Sequence, residues 1–201
     1  MSRNAAQPGV AADELLAVAR TSQLNASIVR PQEDTHGNGA SPAQQRDRQI
    51  ERFLARYTPA FAKLTVAVRR KMRRRFPSAV ELIYDNYNAL VFGYGPSERA
   101  SEAVFSIAAY PRWVNLFFLR GAHLPDPDGL LRGQGRLVRS FVLNMPADLD
   151  APALQKLMRQ AVGRAPVPFG SGRGRTVIRS VSPVRRARRP SSRAVRRPRT
   201  P

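Results

Sequence analysis

Three residues with the chemistry of a metal site lie close together in this chain: His123, Asp126 and Asp128. Imidazole and carboxylate groups are common metal ligands in proteins. However, Asp126-Pro127-Asp128-Gly129 places Asp, Pro and Gly at the positions that a type I turn prefers. The sequence therefore predicts a turn here, and we assign no metal ligand.

Glycine and arginine alternate in the segment that follows: Gly129, Gly133 and Gly135 lie beside Arg132 and Arg136. Backbone N–H groups of such a loop could bind an anion. Phosphate-binding loops, however, follow a strand and open a helix. This segment leads into a predicted strand instead, which favours a connecting loop.

Glu81 and Tyr84 lie at the start of one predicted strand, and Arg139 lies in the last predicted one. The carboxylate of Glu81 could form a structural ion pair with Arg139, and the sequence favours that interpretation. The alternative is a shallow ligand pocket formed by Glu81, Tyr84 and Arg139.

Residue types needed for common enzyme mechanisms are scarce. The chain has no cysteine, which excludes thiolate nucleophiles, disulfides and cysteine-based metal sites. Neither of its two histidines has a serine or an acid at the spacing of a catalytic motif. We therefore predict a protein that is not an enzyme, and we infer no cofactor.

The net charge of +20 is unevenly distributed. Residues 1–40 carry a net charge of −1, residues 41–165 carry +10, and residues 166–201 carry +11. Such a charge favours polyanionic partners, either nucleic acid or an anionic membrane surface. The excess of arginine over lysine, 31 against three, can also reflect the base composition of the coding DNA.

The last segment, residues 166–201, is rich in Pro, Gly, Ser and Arg and contains no acidic residue. Such a composition cannot bury a core, so we expect a disordered tail. An extended tail could lie along phosphates and bind nucleic acid without sequence specificity. The alternative is a solvated tail without a partner. The candidate nucleic-acid-binding residues are Arg185, Arg186, Arg188, Arg189, Arg193, Arg196, Arg197 and Arg199.

Helix signals precede the strands. Ser41-Pro42 and Thr58-Pro59 each combine an N-cap residue with proline at the first helical position, and Pro77 ends the second helix. The second half of that helix is strongly basic. This pattern predicts either a solvated face or a phosphate-binding patch. Its basic residues are Arg69, Arg70, Lys71, Arg73, Arg74 and Arg75.

Short alternating apolar segments between Glu81 and Met145 predict successive strands, of which residues 113–119 are apolar on both faces and should be central. A final helix is predicted with Asp150 as its cap, Pro152 in its first turn and Gly163 at its end. The predicted fold class is α+β: an antiparallel sheet of about five strands packed by two N-terminal helices and one C-terminal helix. Residues 41–165 form this domain, between a disordered segment at 1–40 and the basic tail at 166–201.

The motifs in this domain resemble the YdhG-like family, a bacterial family of domains of unknown function. The resemblance covers about residues 47–163 and rests on Glu81-Leu-Ile-Tyr84, the apolar strand that starts at Trp113, the loop from Gly121 to Arg136, and Arg139. It implies an antiparallel sheet packed by helices. Some members are described as frataxin-like iron chaperones, which would imply iron binding through acidic side chains, but the net charge of +10 over residues 41–165 disfavours that role.

The sequence therefore predicts a YdhG-like domain that acts as a non-enzymatic binding module for a small ligand or a protein partner. Non-specific nucleic-acid association through the arginine tail is the alternative. The longest apolar run, Val114 to Leu119, is too short to span a bilayer. We expect a cytoplasmic protein without a membrane span.

Overall fold

The structure of the protein is a computed structural model, and it describes residues 40–183. The helices in this range begin where proline occupies the first helical position, whose N–H has no partner within a helix. They are α1 (Pro42–Leu54), α2 (Pro59–Arg75) and α3 (Pro152–Gly163).

The predicted helix starts at residues 42 and 59 are confirmed. At α1, Ser41 Oγ accepts a hydrogen bond from the Gln44 N–H at 3.3 Å, and Gln44 Oε1 accepts one from the Ser41 N–H at 2.8 Å. This reciprocal pair is a capping box. The predicted cap of α3 is wrong, because Ala151 is the N-cap residue and the carboxylate of Asp150 binds side chains of α2 instead.

Six strands form one mixed sheet with the order β5-β4-β3-β2-β1-β6. Strands β1 to β5 pair with one another in antiparallel fashion, whereas β6 runs parallel to β1 and aligns Thr176 with Glu81. The strands are β1 (Val80–Asp85), β2 (Leu90–Gly95), β3 (Phe105–Ala109), β4 (Val114–Phe118), β5 (Arg139–Leu143) and β6 (Thr176–Val181).

The α+β class is confirmed, but the sheet differs from the predicted antiparallel sheet of about five strands. The additional strand β6 lies within the segment that was predicted to be a disordered tail. The Pro, Gly and Arg content of residues 166–201 conceals the β-branched run Thr176-Val177-Ile178. These residues pair with the free edge of β1, which supplies the backbone hydrogen bonds that an isolated strand lacks.

The main core lies between the three helices and one face of the sheet. It includes Val68 and Met72 of α2 and Leu154 of α3, all fully buried. The predicted burial of β4 is confirmed, because every residue of the strand is buried, but its predicted central position is wrong, because β4 is the second strand from one edge of the sheet. A smaller apolar cluster, which includes Leu82 and Tyr84, lies on the opposite face.

Two predicted segments lie outside the described residues. These are residues 1–39 of the N-terminal segment and residues 184–201, which carry all eight arginines assigned to nucleic-acid binding in the tail. Within residues 40–183, no helix is long and apolar enough to cross a membrane.

Gly174 connects β6 to the rest of the fold, because its N–H donates to the Pro77 carbonyl at 2.8 Å. A Cβ at this position would lie 1.9 Å from the Ala79 carbonyl oxygen. Gly174→Ala should therefore displace backbone and lower the free energy of unfolding by about 1–3 kcal/mol in urea titrations. Gly172→Ala is the control, because a Cβ there would have no other atom within 4 Å. Equal stability of the two variants would contradict this packing.

Candidate functional site

The structure does not bring Glu81, Tyr84 and Arg139 together. Glu81 and Tyr84 lie three residues apart on β1, so their side chains point to opposite faces of the sheet. Arg139 is on β5, four strand spacings away, or about 19 Å at ~4.8 Å per strand. Its Nη1 donates to the carbonyls of Gly135 and Val138 at 2.6 and 2.9 Å. The three residues therefore do not line a common pocket.

Glu81 instead forms a buried ion pair with Arg69 of α2. The Arg69 Nε atom donates to Glu81 Oε1 at 2.8 Å, and Nη2 donates to Oε2 at 2.7 Å. Tyr94 of β2 donates its hydroxyl to Oε1 at 3.1 Å, and Thr176 of β6 donates its hydroxyl to Oε2 at 2.8 Å. Each carboxylate oxygen thus accepts two hydrogen bonds, and the ion pair joins one helix to three strands.

The protonation states of this network suit a structural role. Burial raises the pKa of Tyr94 well above its ordinary value, and the charge of Glu81 adds to the effect. Burial alone would lower the pKa of Arg69, but its hydrogen bonds to Glu81 and the charge of that carboxylate outweigh burial and raise it. Tyr94 therefore remains a neutral hydrogen-bond donor, and Arg69 remains a cation.

A cleft of about 920 Å³ opens next to this network. One wall is the C-terminal half of α2, and the other is the Gly170–Arg175 segment that leads into β6. We call it the basic cleft because arginines from both walls line it, and Glu81 is the one acidic residue among the described residues of its lining. These arginines are Arg69, Arg70, Arg73, Arg74, Arg173 and Arg175.

Several basic residues near the basic cleft are already paired with carboxylates. Lys71 and Arg75 both bind Asp150, at the start of α3, and Arg175 binds Glu98. Together with the Arg69–Glu81 pair, these contacts hold four cations in place.

Four arginines of the basic cleft are exposed and are not among these paired residues: Arg70, Arg73, Arg74 and Arg173. No carboxylate in the described part of the chain lies within ion-pair distance of any of them. Three of them occupy the last turns of α2, where the helix dipole favours cations and offers an anion no attraction. The positive potential of the cleft therefore comes from guanidinium side chains.

The second wall offers little steric hindrance to a ligand. It reads Gly170-Ser171-Gly172-Arg173-Gly174, and a Cβ at Gly170 or Gly172 would have no neighbour within 4 Å. A ligand could therefore approach the backbone closely, as phosphate groups do at other glycine-rich segments. The arrangement can bind an anion through its guanidinium groups and through the exposed backbone of this wall.

The Asp126 turn is confirmed. The Gly129 N–H donates to the Asp126 carbonyl at 3.1 Å, and the Asp126 carboxylate accepts hydrogen bonds from the N–H groups of Leu130 and Leu131 at 3.0 and 2.8 Å. The carboxylate of Asp126 thus stabilises the turn that begins at this residue. Among residues 40–183, no group of three or more His, Asp or Glu side chains could hold a metal ion.

The basic half of α2 was predicted from the sequence, but the facing wall, residues 170–175, was not. Arg173, Arg175 and Thr176 were assigned to a disordered tail. The β-branched run that begins at Thr176 was the available signal for this wall. For the predicted pocket, the signal was the period of two in a strand, which places residues 81 and 84 on opposite faces of the sheet.

Comparison of the chain with protein-family models, with curated proteins and with solved structures found no match. The resemblance to the YdhG-like family therefore stays a prediction.

Replacing Glu81 with glutamine tests the structural role of the buried ion pair. The side chain of Arg69 is only 15% exposed, so Glu81→Gln leaves a nearly buried cation without a counter-charge. We expect a loss of about 3 kcal/mol in the free energy of unfolding, measured by urea titration. Glu51→Gln, at an exposed helix position, should change stability by less than about 0.5 kcal/mol. Similar losses in both variants would argue against the role assigned to Glu81.

Asp150 should make stability depend on pH. The hydrogen bond from Lys71, the charge of Lys71 and the charge of Arg75 hold the pKa of the Asp150 carboxyl below its ordinary value. A depressed pKa means that the contribution is present above the unfolded-state pKa and is lost as pH falls through the folded-state pKa. Asp150→Asn should therefore be less stable than the wild type at neutral pH and equally stable in acid.

The measurement is thermal unfolding of both proteins across the acidic range. Asp128→Asn is the matched control, because Asp128 is exposed and has no ion pair with any residue from 40 to 183. A difference between wild type and Asp150→Asn that stays constant with pH would disprove the assignment.

Proposed function

We propose that this domain is a non-enzymatic binding module whose basic cleft binds the phosphate backbone of a nucleic acid without sequence specificity. One observation carries the proposal. Four exposed arginines without carboxylate partners among the described residues converge on one cleft from two walls, three from α2 and one from the segment before β6.

Guanidinium groups suit phosphate better than ammonium groups do. Their planar N–H donors match two phosphate oxygens at once, and they are less strongly hydrated. Among residues 40–183, the cations that line the basic cleft are all arginines, and its other polar residues besides Glu81 and Tyr94 are Ser78, Ser171 and Thr176. This described lining includes no Asn or Gln, the side chains that recognise adenine. These contacts would bind the phosphate backbone of a nucleic acid and would not distinguish one base from another.

The arginine tail extends the same chemistry. Residues 184–201 carry eight arginines and no acid, and they follow β6 after two residues. Thr176 lines the cleft and begins β6, so residue 183, the last described residue, lies up to about 23 Å from the cleft at ~3.3 Å per residue. A nucleic-acid strand is long enough to contact both the cleft and the eight arginines that follow residue 183.

The sequence supports three further proposals: membership of a family, binding of another anionic partner, and iron binding. Membership of the YdhG-like family is supported by the motifs at Glu81–Tyr84, Trp113–Phe118 and Gly121–Arg136. A small anionic ligand or an acidic protein would be attracted by the same arginines. Frataxin-like iron binding is the least favoured alternative, because the net charge of +10 over residues 41–165 repels cations.

The cleft is tested by changing its four unpaired arginines, Arg70, Arg73, Arg74 and Arg173, to glutamine in the full chain. Binding to labelled single-stranded DNA and RNA is measured by fluorescence anisotropy at several salt concentrations. Each lost phosphate contact reduces the slope of log K against log salt by about 0.7. We expect the slope to become shallower by about 2–3, with weaker binding at low salt.

The matched control changes four exposed arginines elsewhere, Arg112, Arg120, Arg132 and Arg136, to glutamine and so removes the same charge. A second arm deletes residues 184–201, which leaves β6 intact. Equal weakening by the two quadruple variants would mean that net charge alone attracts the ligand, and would contradict the proposed cleft. Loss of binding only in the deletion would place the function in the tail.

A further inference from the structure

The carboxylate of Glu98, outside the basic cleft, binds two arginines. Arg179 belongs to β6, and Arg175 belongs to the segment before it. Glu98, in the loop after β2, accepts hydrogen bonds from Nε and Nη2 of Arg175 at 2.9 and 2.6 Å. It also accepts one from Nη1 of Arg179 at 3.2 Å, and its backbone carbonyl accepts another from Nη2 of Arg179 at 3.0 Å. A single negative charge thus holds two positive charges.

These ion pairs are open to water. The exposed fractions are 34% for the side chain of Glu98, 69% for Arg175 and 41% for Arg179. Exposed ion pairs contribute about 0–1 kcal/mol, because water and salt screen them. A phosphate could therefore replace Glu98 at little cost and regain charge-assisted hydrogen bonds.

The two arginines lie on a path that leaves the basic cleft. Arg175 lines the cleft, and Arg179 lies four residues further along, about 13 Å at ~3.3 Å per residue. Arg179 is the extra residue where the pairing with β1 shifts, since Ile83 faces Ile178 but Tyr84 faces Ser180. Such bulges redirect a side chain, and β6 is an edge strand with one side unpaired.

Tyr84, which the sequence analysis assigned to a ligand pocket, supports this path. Burial raises the pKa of Tyr84, and a hydrogen bond and the charge of Arg179 oppose the rise. Tyr84 thus lies beside Arg179 and far from Arg139.

We propose that the phosphate-binding surface continues from the basic cleft along β6 toward the tail, and that Glu98 is a built-in competitor that occupies Arg175 and Arg179 until phosphate displaces it. This inference rests on the proposed function. It adds Arg179 to the binding surface and makes Glu98 the residue that limits affinity. The ligand is a nucleic-acid strand whose phosphodiester backbone spans the cleft and the edge strand.

The experiment compares the full-length wild type with Glu98→Gln and Asp128→Asn, using labelled oligothymidylate at several salt concentrations. Asp128→Asn removes the same charge from an exposed turn near β5, at the opposite edge of the sheet from β6. Glu98→Gln should bind about 3- to 10-fold more tightly at low salt, because no carboxylate has to be displaced, while its salt slope should stay close to that of the wild type, since phosphate contacts Arg175 and Arg179 in both complexes. Asp128→Asn should change affinity less than about twofold.

A double-mutant cycle assigns the gain to Arg179. Arg179→Gln combined with Glu98→Gln should lose part of the gain in affinity, and its salt slope should be shallower than that of Glu98→Gln by about 0.7, the value for one phosphate contact. In the wild type, the side-chain N–H signals of Arg175 and Arg179 should shift during a titration with oligothymidylate, followed by NMR. Persistence of the wild-type Arg–Glu98 signals at saturation would overturn the inference.

The results distinguish the two proposals. A wild type that shows no salt-dependent binding would overturn both the proposed function and this inference. A wild type that binds, with Glu98→Gln no tighter than Asp128→Asn, would overturn only the competitor role of Glu98. Urea unfolding of each variant confirms that the compared proteins are folded.

Discussion

The buried ion pair between Arg69 and Glu81 is the interaction on which the site depends. A charge of either sign in this position is tolerated only with a well-placed counter-charge and hydrogen bonds for its remaining donors or acceptors. Glu81 meets this condition with three partners, from α2, β2 and β6. Because the partners come from different elements, the pair fixes α2 against the sheet and places its C-terminal half opposite the segment that enters β6. The basic cleft is the space between them.

Concentrating so many arginines in one region has an electrostatic cost, and the structure shows how it is reduced. Three carboxylates each hold cations around the cleft: Glu81 binds one, and Asp150 and Glu98 each bind two. The remaining guanidinium groups point into solvent, where water and counterions screen their repulsion. A polyanion would release those counterions, which is the source of salt-dependent affinity. The same charge pattern thus explains how the fold tolerates these arginines and why an anion would be bound there.

Much of the fold follows from local sequence. The proline-marked starts of α1 and α2 and the two-sided apolar strand β4 depend on residues near each other in the chain, and all are found as predicted. The partner of Glu81 could not be predicted in the same way, since it depends on which helix crosses β1. The strand β6 was missed for a related reason. Its β-branched residues become a strand only on the edge of β1, about 95 residues away.

That separation bears on how the cleft functions. One wall comes from α2, near the start of the described chain, and the other comes from residues 170–175, near its end. The second wall is held by Gly174, by the pairing of β6 with a single strand, and by Thr176 at Glu81. An edge strand with one neighbour opens more easily than a strand inside the sheet. A ligand that contacts both walls binds only when β6 is docked, so by linkage it must also stabilise that docking. Binding at the cleft and ordering of the chain that leads into the arginine tail are therefore coupled.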